Sequence, residues 1–472
     1  MLGCIVVALV CPGICQVVAQ PSIDVWVSSQ DAKCRLSPQP SLAFGPAEPS
    51  QLPCVRVDAS RRYQTMLGFG ASLEPTTCYN LSRLKPDAQD EVVRRLVDPA
   101  AGIGMNLMRI CIGTPDFTGD PWYSYDDVPK GQTDEKLERF SIEKDRRYIL
   151  PILKKARKAN PQLLFFASPW SPPGWMTSTG DMIGGRLLPK YYGAYARYFV
   201  RFIRAYENEG IPIYAVTIQN EPGVDRSRSL PKWRYPSCRW TGEQERDFIK
   251  RHLGPALRRA GLKTKVWTYD HNFNEKATPG DPGIDYPTVV LSDPEAARYV
   301  AGVAFHGYEG KPSGMSVFHK RFPDVPIHFT ETSIFGVRGA LRLIDYLRNW
   351  ACSYNAWVTM LDEKRGPNNG PFDASKTCIM LDSRDRSVTY RNDHFIYGQF
   401  MKFVQRGAAR IDAEGSTKRF AGVAFQNPDG RVVLIVANGD RQAKRFRIVS
   451  GPLAATATIP SNAVATYVWQ PK

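Results

Sequence analysis

Two glutamates close two short apolar runs, and that pairing points to hydrolytic chemistry. The first run, Ile211-Pro-Ile-Tyr-Ala-Val-Thr-Ile-Gln-Asn-Glu221, lies between Gly210 and Pro222-Gly223. The second, Pro326-Ile-His-Phe-Thr-Glu331, has the same form. Short runs rich in β-branched residues, bounded by turn formers, read as buried parallel strands. A carboxyl at the mouth of such a strand loses part of its hydration, which disfavours its charge and raises its pKa. That suits a general acid near neutral pH, and Glu221 is expected to be this protonated partner. A lone glutamate of this kind reads as a solvated strand end. Two of them form the pair that cleaves a glycosidic bond, one protonating the leaving oxygen while the other attacks or activates water.

The elements that must hold this pair alternate along the chain. Strand-like runs occur at 66–73, 105–112, 163–170, 211–221, 265–269, 302–308, 326–331 and 356–361, with helical patterns at 87–97, 149–159 and 191–207 between them. Thr241-Gly-Glu-Gln244 is a capping box for a further helix whose Phe248, Ile249, Leu253 and Leu257 share one face. This order predicts an α/β fold, a (β/α)8 TIM barrel over 66–395, with the glutamates ending strands four and seven on the catalytic face. The Gly68–Gly70 pair is followed by no lysine; it reads as tight strand packing rather than a phosphate loop. After residue 395 the pattern changes to β alternation, with a hairpin turn at Asn427-Pro-Asp-Gly430. Strand-like pieces at 21–65 offer partners, so one accompanying β-sandwich domain is expected from 21–65 together with 396–472.

The chain of 472 residues carries a net formal charge of +16, with its basic residues scattered over helices. Such an exterior favours contact with an anionic membrane or cell-wall surface. No zinc spacing, Gly-x-x-x-x-Gly-Lys loop or helix-turn-helix accompanies it, so no nucleic acid partner is expected. Residues 1–20 read as a secretory signal peptide, which implies a secreted protein, with a lysosome-like compartment as the alternative. Three of the ten cysteines fall in that segment, leaving an odd number beyond it. Cys34 and Cys54 lie in a region that lacks a core of its own and are expected to be bonded, with Cys111 free. Asn80-Leu-Ser82 is the single acceptor sequon weighed.

Specific motifs carry a resemblance over nearly the whole chain after residue 20. They are Gly68-Phe-Gly-Ala, Met108-Arg-Ile, Asp116-Phe, Ala167-Ser-Pro-Trp-Ser-Pro-Pro-Gly-Trp175, Ala215-Val-Thr-Ile-Gln-Asn-Glu-Pro222, Leu291-Ser-Asp-Pro-Glu-Ala-Ala and Phe329-Thr-Glu331. Together they resemble glycoside hydrolase family 30, the glucosylceramidase group. The resemblance implies retaining hydrolysis of β-linked sugars without metal or other cofactor. It implies Glu221 as acid/base and Glu331 as nucleophile, with Asn220 on the sugar 2-hydroxyl and with Arg109 and Tyr308 beside the nucleophile. Asp116 and Trp170 would bind glucose hydroxyls, and Trp357 would line the pocket. Arg109 could instead pair with a barrel carboxylate, and Trp170 and Trp357 could be core aromatics. His306 stands open between the site and a satisfied core histidine.

Val358 stands where the glucosylceramidases have an asparagine, and the loop over 363–377 also differs from theirs. Both shape the acceptor side. The expected partner is therefore a β-glucoside, with glucosylceramide as the first expectation and β-1,6-glucan as the second. A catalytically inactive sugar-binding barrel is the reading from a different class, and the presence of both carboxylates with their supporting residues argues against it.

Overall fold

The computed structural model describes residues 22–374 and 376–471, so the expected signal peptide lies outside the described residues. Eight parallel strands form the barrel: β1 (Gly68–Ala71), β2 (Leu107–Ile112), β3 (Leu164–Pro169), β4 (Ile213–Thr217), β5 (Lys265–Asn272), β6 (Val300–His306), β7 (Ile327–Glu331) and β8 (Ala351–Ala356). The β8–β1 pair is parallel, and the ring closes through a bridge between Ser72 and Arg109. A Cβ on Gly70 would collide with the Leu107 carbonyl, so this seam needs glycine.

Strand periodicity builds the interior in layers. Leu107, Phe166, Ala215, Trp267 and Ala304 form a buried apolar floor, with His328 stacked on Trp267. Two residues further along the same faces come Arg109, Ser168, Thr217, His306 and Thr330, all buried. On β5 the alternation is broken. Its register with β6 shifts after Tyr269↔Ala304, and both Tyr269 and Asp270 have positive φ, 79° and 76°. The extra residue is what brings Asp270, rather than Tyr269, into the polar layer.

The eighth strand is not where the apolar run suggested. It spans Ala351–Ala356, and most of the 356–361 run lies beyond it, with Met360–Asp362 entering a separate three-stranded sheet. The true strand carries Ser353 and Asn355, polar residues that a buried-strand pattern does not anticipate. Both find a partner inside: Asn355 Nδ2 donates to the Leu107 carbonyl at 2.8 Å, and Ser353 Oγ lies 3.3 Å from His328 Nδ1. The helices fall close to expectation, at Pro86–Val97, Ile149–Ala159 and Tyr192–Asn208, and the Thr241–Gln244 capping box is formed.

Strands from both chain ends share one ten-stranded sheet: Ser22–Ser29, Ser37–Ala43, Gly45–Pro46 and Cys54–Thr65 join six strands between Ala409 and Trp469. Ile23, Val25 and Val27 pack with Leu434, Phe446 and Tyr467 in a common core. That shared core explains why the expected Cys34–Cys54 disulfide is absent. The early strands are held by burial against the late ones, and all seven cysteines of the described residues, Cys111 included, are free thiols. Helix Asn392–Met401 runs through the expected boundary at 395/396. It is hydrogen-bonded to the sandwich through Ser28 and Thr466. The sequon is also excluded as an acceptor: Asn80 is fully buried and its Nδ2 donates to the Gly366 carbonyl at 2.9 Å.

Candidate active site

The polar layer opens into a cavity of about 540 Å³ at the C-terminal ends of the strands, lined by Asp116, Trp170, Asn220, Glu221, Tyr308, Glu331 and Trp357. Among the residues singled out from sequence, only Arg109 and His306 lie beneath its walls rather than on them. All nine converge.

Glu331 ends β7. Its Oε2 is paired with Arg109 Nη1, and its Oε1 accepts from the Tyr308 hydroxyl at 2.7 Å. Arg109 is completely buried, so its planar fork is fixed. Nη2 donates to Asn220 Oδ1 and to Asp270 Oδ2, each at 2.8 Å. Its guanidinium lies 4.8 Å from the centroid of Trp170 and 5.6 Å from that of Trp357. Those two indoles stack on each other at 5.1 Å. Arg109 thus pairs with a barrel carboxylate as well as with Glu331, and the two tryptophans are both buried and pocket-lining.

Glu221 follows β4 with φ +51°, a left-handed conformation that costs a non-glycine residue about 1 kcal/mol. Its N–H donates to the Asp270 carbonyl at 3.0 Å, so the two unusual backbones brace one another. His306 ends β6 between the two glutamates. Its Nδ1 is 3.4 Å from Glu221 Oε1, and its Nε2 is 3.8 Å from Glu331 Oε2 and 3.1 Å from Asp270 Oδ1.

These contacts overturn the expected protonation of Glu221. Burial does push its carboxyl up, as the sequence implied. The hydrogen bond from His306, with the electrostatic pull of His271, His306 and Arg226, outweighs burial and holds it at about 2. Burial opposes charge on His306 too, yet Glu331 and the hydrogen bonds to Asp270 and Glu221 raise it to about 10. The proton therefore resides on the imidazole. Asp116, by contrast, has no cation beside it; burial and the charges of Glu331 and Glu221 drive its carboxyl well up, and its Oδ1 has no partner.

Sequence reasoning missed Asp270 and His271. Asp270 is the hub of the polar layer, reached by Arg109, His306, Ser168, Thr217 and Thr330. The strand-end rule applied to β4 and β7 would have found it, since Asp270 is the first charge after the apolar run of β5. The cavity rim, with Arg226, Tyr235 and Phe372, comes from loops without a motif.

Comparison with known proteins places this geometry. The family model described as the glycosyl hydrolase family 30 TIM-barrel domain matches residues 66–375, and that of the family 30 beta sandwich domain matches 407–467. An endo-1,6-beta-D-glucanase of Neurospora crassa is 31% identical over 455 residues, covering 91% of each chain. The lysosomal acid glucosylceramidase of Mus musculus is 28% identical, covering 87% of this chain and 82% of its own. The solved structure of the endo-beta1,6-glucanase BT3312 superposes with a TM-score of 0.85 at 30% identity, over 96% of this chain and 100% of that one.

Proposed function

The chain belongs to glycoside hydrolase family 30, and from that premise we propose that it is a retaining hydrolase of β-glucosides, with Glu331 as nucleophile and Glu221 as acid/base. The observation that carries the reading is the convergence of both carboxyls on one buried imidazole beneath one cavity.

Arg109 and Tyr308 orient Glu331 for attack on the anomeric carbon, forming a glucosyl ester as the bond to the leaving oxygen breaks. The leaving oxygen takes its proton from Glu221, which lies against His306, the proton's resting place. Water then enters, Glu221 takes its proton, and the ester is hydrolysed with net retention. Asn220 accepts from Arg109 through Oδ1, which leaves its Nδ2 to donate to the 2-hydroxyl. The unpartnered Asp116 Oδ1 is a buried acceptor suited to a sugar hydroxyl.

For the leaving group, β-1,6-glucan becomes the first reading, reversing the order expected from the resemblance. Its support is the rim, where Asp225, Arg226, Glu309 and Asp373 surround Tyr235 and Phe372. Charged hydrogen-bonding groups around aromatic faces suit a second sugar better than a two-chain lipid. The glucanase relatives point the same way. Glucosylceramide remains the second reading because Leu230, Trp233 and Phe372 are exposed by 65%, 40% and 42%. Product release from β-1,6-glucan, measured beside release from glucosylceramide in mixed micelles, decides between them.

Azide rescue tests the roles. With an activated aryl β-glucoside, Glu221→Ala should give the β-glucosyl azide and Glu331→Gly the α-glucosyl azide. Exchanged products would reverse the assignment, and full activity in both variants would dismiss the pair.

A further inference from the structure

Glu221, His271 and His306 offer one donor atom each, and the three atoms lie within 4.8 Å of one another. We propose that these residues form an inhibitory site for a transition-metal dication of the zinc type, which on binding ties up Glu221.

The two imidazoles are prepared for this. His271 Nε2 lies 2.8 Å from the Gly280 carbonyl, and His306 Nε2 lies 3.1 Å from Asp270 Oδ1. A carbonyl and a carboxylate can only accept, so each Nε2 is a donor and each Nδ1 faces the gap; His306 Nδ1 bears the proton it shares with Glu221, and the ion must displace that proton. Both Nδ1 atoms are buried, in side chains that are 4% and 0% exposed; His271 Nδ1 has no hydrogen-bond partner, and His306 Nδ1 faces Glu221 Oε1 at 3.4 Å. Imidazoles whose far nitrogen is anchored on an oxygen acceptor are the arrangement that orients histidine ligands.

The spacing also fits. Tetrahedral zinc with bonds of about 2.0–2.1 Å sets neighbouring donor atoms about 3.3–3.4 Å apart. The His306 Nδ1–Glu221 Oε1 separation is already 3.4 Å. The three donors lie within 4.8 Å of one another, so the widest pair closes by at most about 1.4 Å, and Glu221 and His271 line the cavity that would supply the fourth ligand. Nitrogen donors select zinc or copper over magnesium and calcium. Charge adds to the preference: Glu221, Asp270 and Glu331 crowd this layer, with Arg109 paired to the latter two. The metal has no role in hydrolysis; it occupies the carboxylate that the leaving group needs.

The test reads binding directly, so it stands apart from the hydrolase assignment. Full-length protein is titrated with zinc chloride in chelator-free buffer, and with cobalt chloride to read the visible bands of a tetrahedral ion. One ion per chain is expected, displaced by a glucose-configured iminosugar and removed by EDTA. His271→Asn and Glu221→Gln should each weaken binding at least tenfold, with thermal melts confirming that both variants are folded. Absence of tetrahedral cobalt bands in the unaltered protein, simultaneous binding of metal and iminosugar, or unchanged affinity in both folded variants would each overturn the proposal.

Discussion

Two carboxylates buried in the same barrel, Asp270 and Asp145, are driven in opposite directions. Each is reached by three hydroxyls. Asp145 accepts from Tyr123 and Tyr125 at 2.6 Å each and from Tyr206. Asp270 has Ser168, Thr217 and Thr330 at 2.9, 2.8 and 2.7 Å. Burial pushes both carboxyls up. Asp145 ends raised, because its hydroxyl donors do not outweigh that burial. Asp270 ends far below the usual carboxylate range, because the Arg109 charge and the His306 hydrogen bond are added to the same number of hydroxyls. Neutral donors satisfy a buried carboxyl; buried cations decide that it stays charged.

The sharpest way to break this contrast is to remove the cation. Arg109→Met strips the charge partner from both Asp270 and Glu331. Unfolding in denaturant should show a loss near the top of the ~3–5 kcal/mol range for breaking a buried pair. By carbon-detected NMR, the Asp270 carboxyl should climb by about 1–3 on the pH scale, toward the behaviour of Asp145. If Asp270 stays low, the cation account is wrong.

Asp270→Asn should come next, at about 3 kcal/mol, since Arg109 then keeps Glu331 as its remaining carboxylate. Its kcat/KM should also fall, because Arg109 and His306 lose the acceptor that fixes them. A variant that melts like the parent and turns over normally would remove Asp270 from the centre of the layer.

Glu245 extends the comparison to a third buried carboxyl. Its hydrogen-bond partners are Thr268, the Tyr269 N–H and Tyr286, with no cation among them, and burial raises it to about 7 against an ordinary 4.5. The folded-state value lies above the unfolded one, so its stabilising contribution is complete below about 4.5 and is lost as pH rises through about 7. Glu245→Gln should remove up to roughly 3 kcal/mol of the stability change between pH 4.5 and 8. Equal pH slopes in the two proteins would contradict it.

The smallest effect is expected at Asp145→Asn. An amide keeps one acceptor oxygen for the tyrosines, its NH2 can donate to a tyrosine oxygen, and no buried cation loses its partner, so about 1 kcal/mol of stability and less than a twofold change in kcat/KM are predicted. A loss as large as that of Asp270→Asn would erase the distinction between the two sites.

The sequence alone determined the parts that obey local periodicity. Apolar runs closed by a charge placed Glu331 at the end of strand seven and Glu221 just beyond strand four. The resemblance pointed to Arg109, which lies within strand two rather than at its end, and to Tyr308, two residues past strand six. Motifs then supplied Asp116, Trp170 and Asn220. Strand periodicity failed where backbone geometry departs from it or where polar side chains find distant partners. The extra residue that turns Asp270 inward on β5 leaves no apolar signature, and β8 reads as polar because Ser353 and Asn355 find their partners across the barrel. The protonation of Glu221 was likewise beyond local reading. Burial, the term visible from sequence, is real, but the sign is set by His306 and His271, which arrive from two other strands. The same holds for Cys34 and Cys54: what holds the early strands is a core supplied by residues some four hundred positions later in the chain, and only folding brings those together.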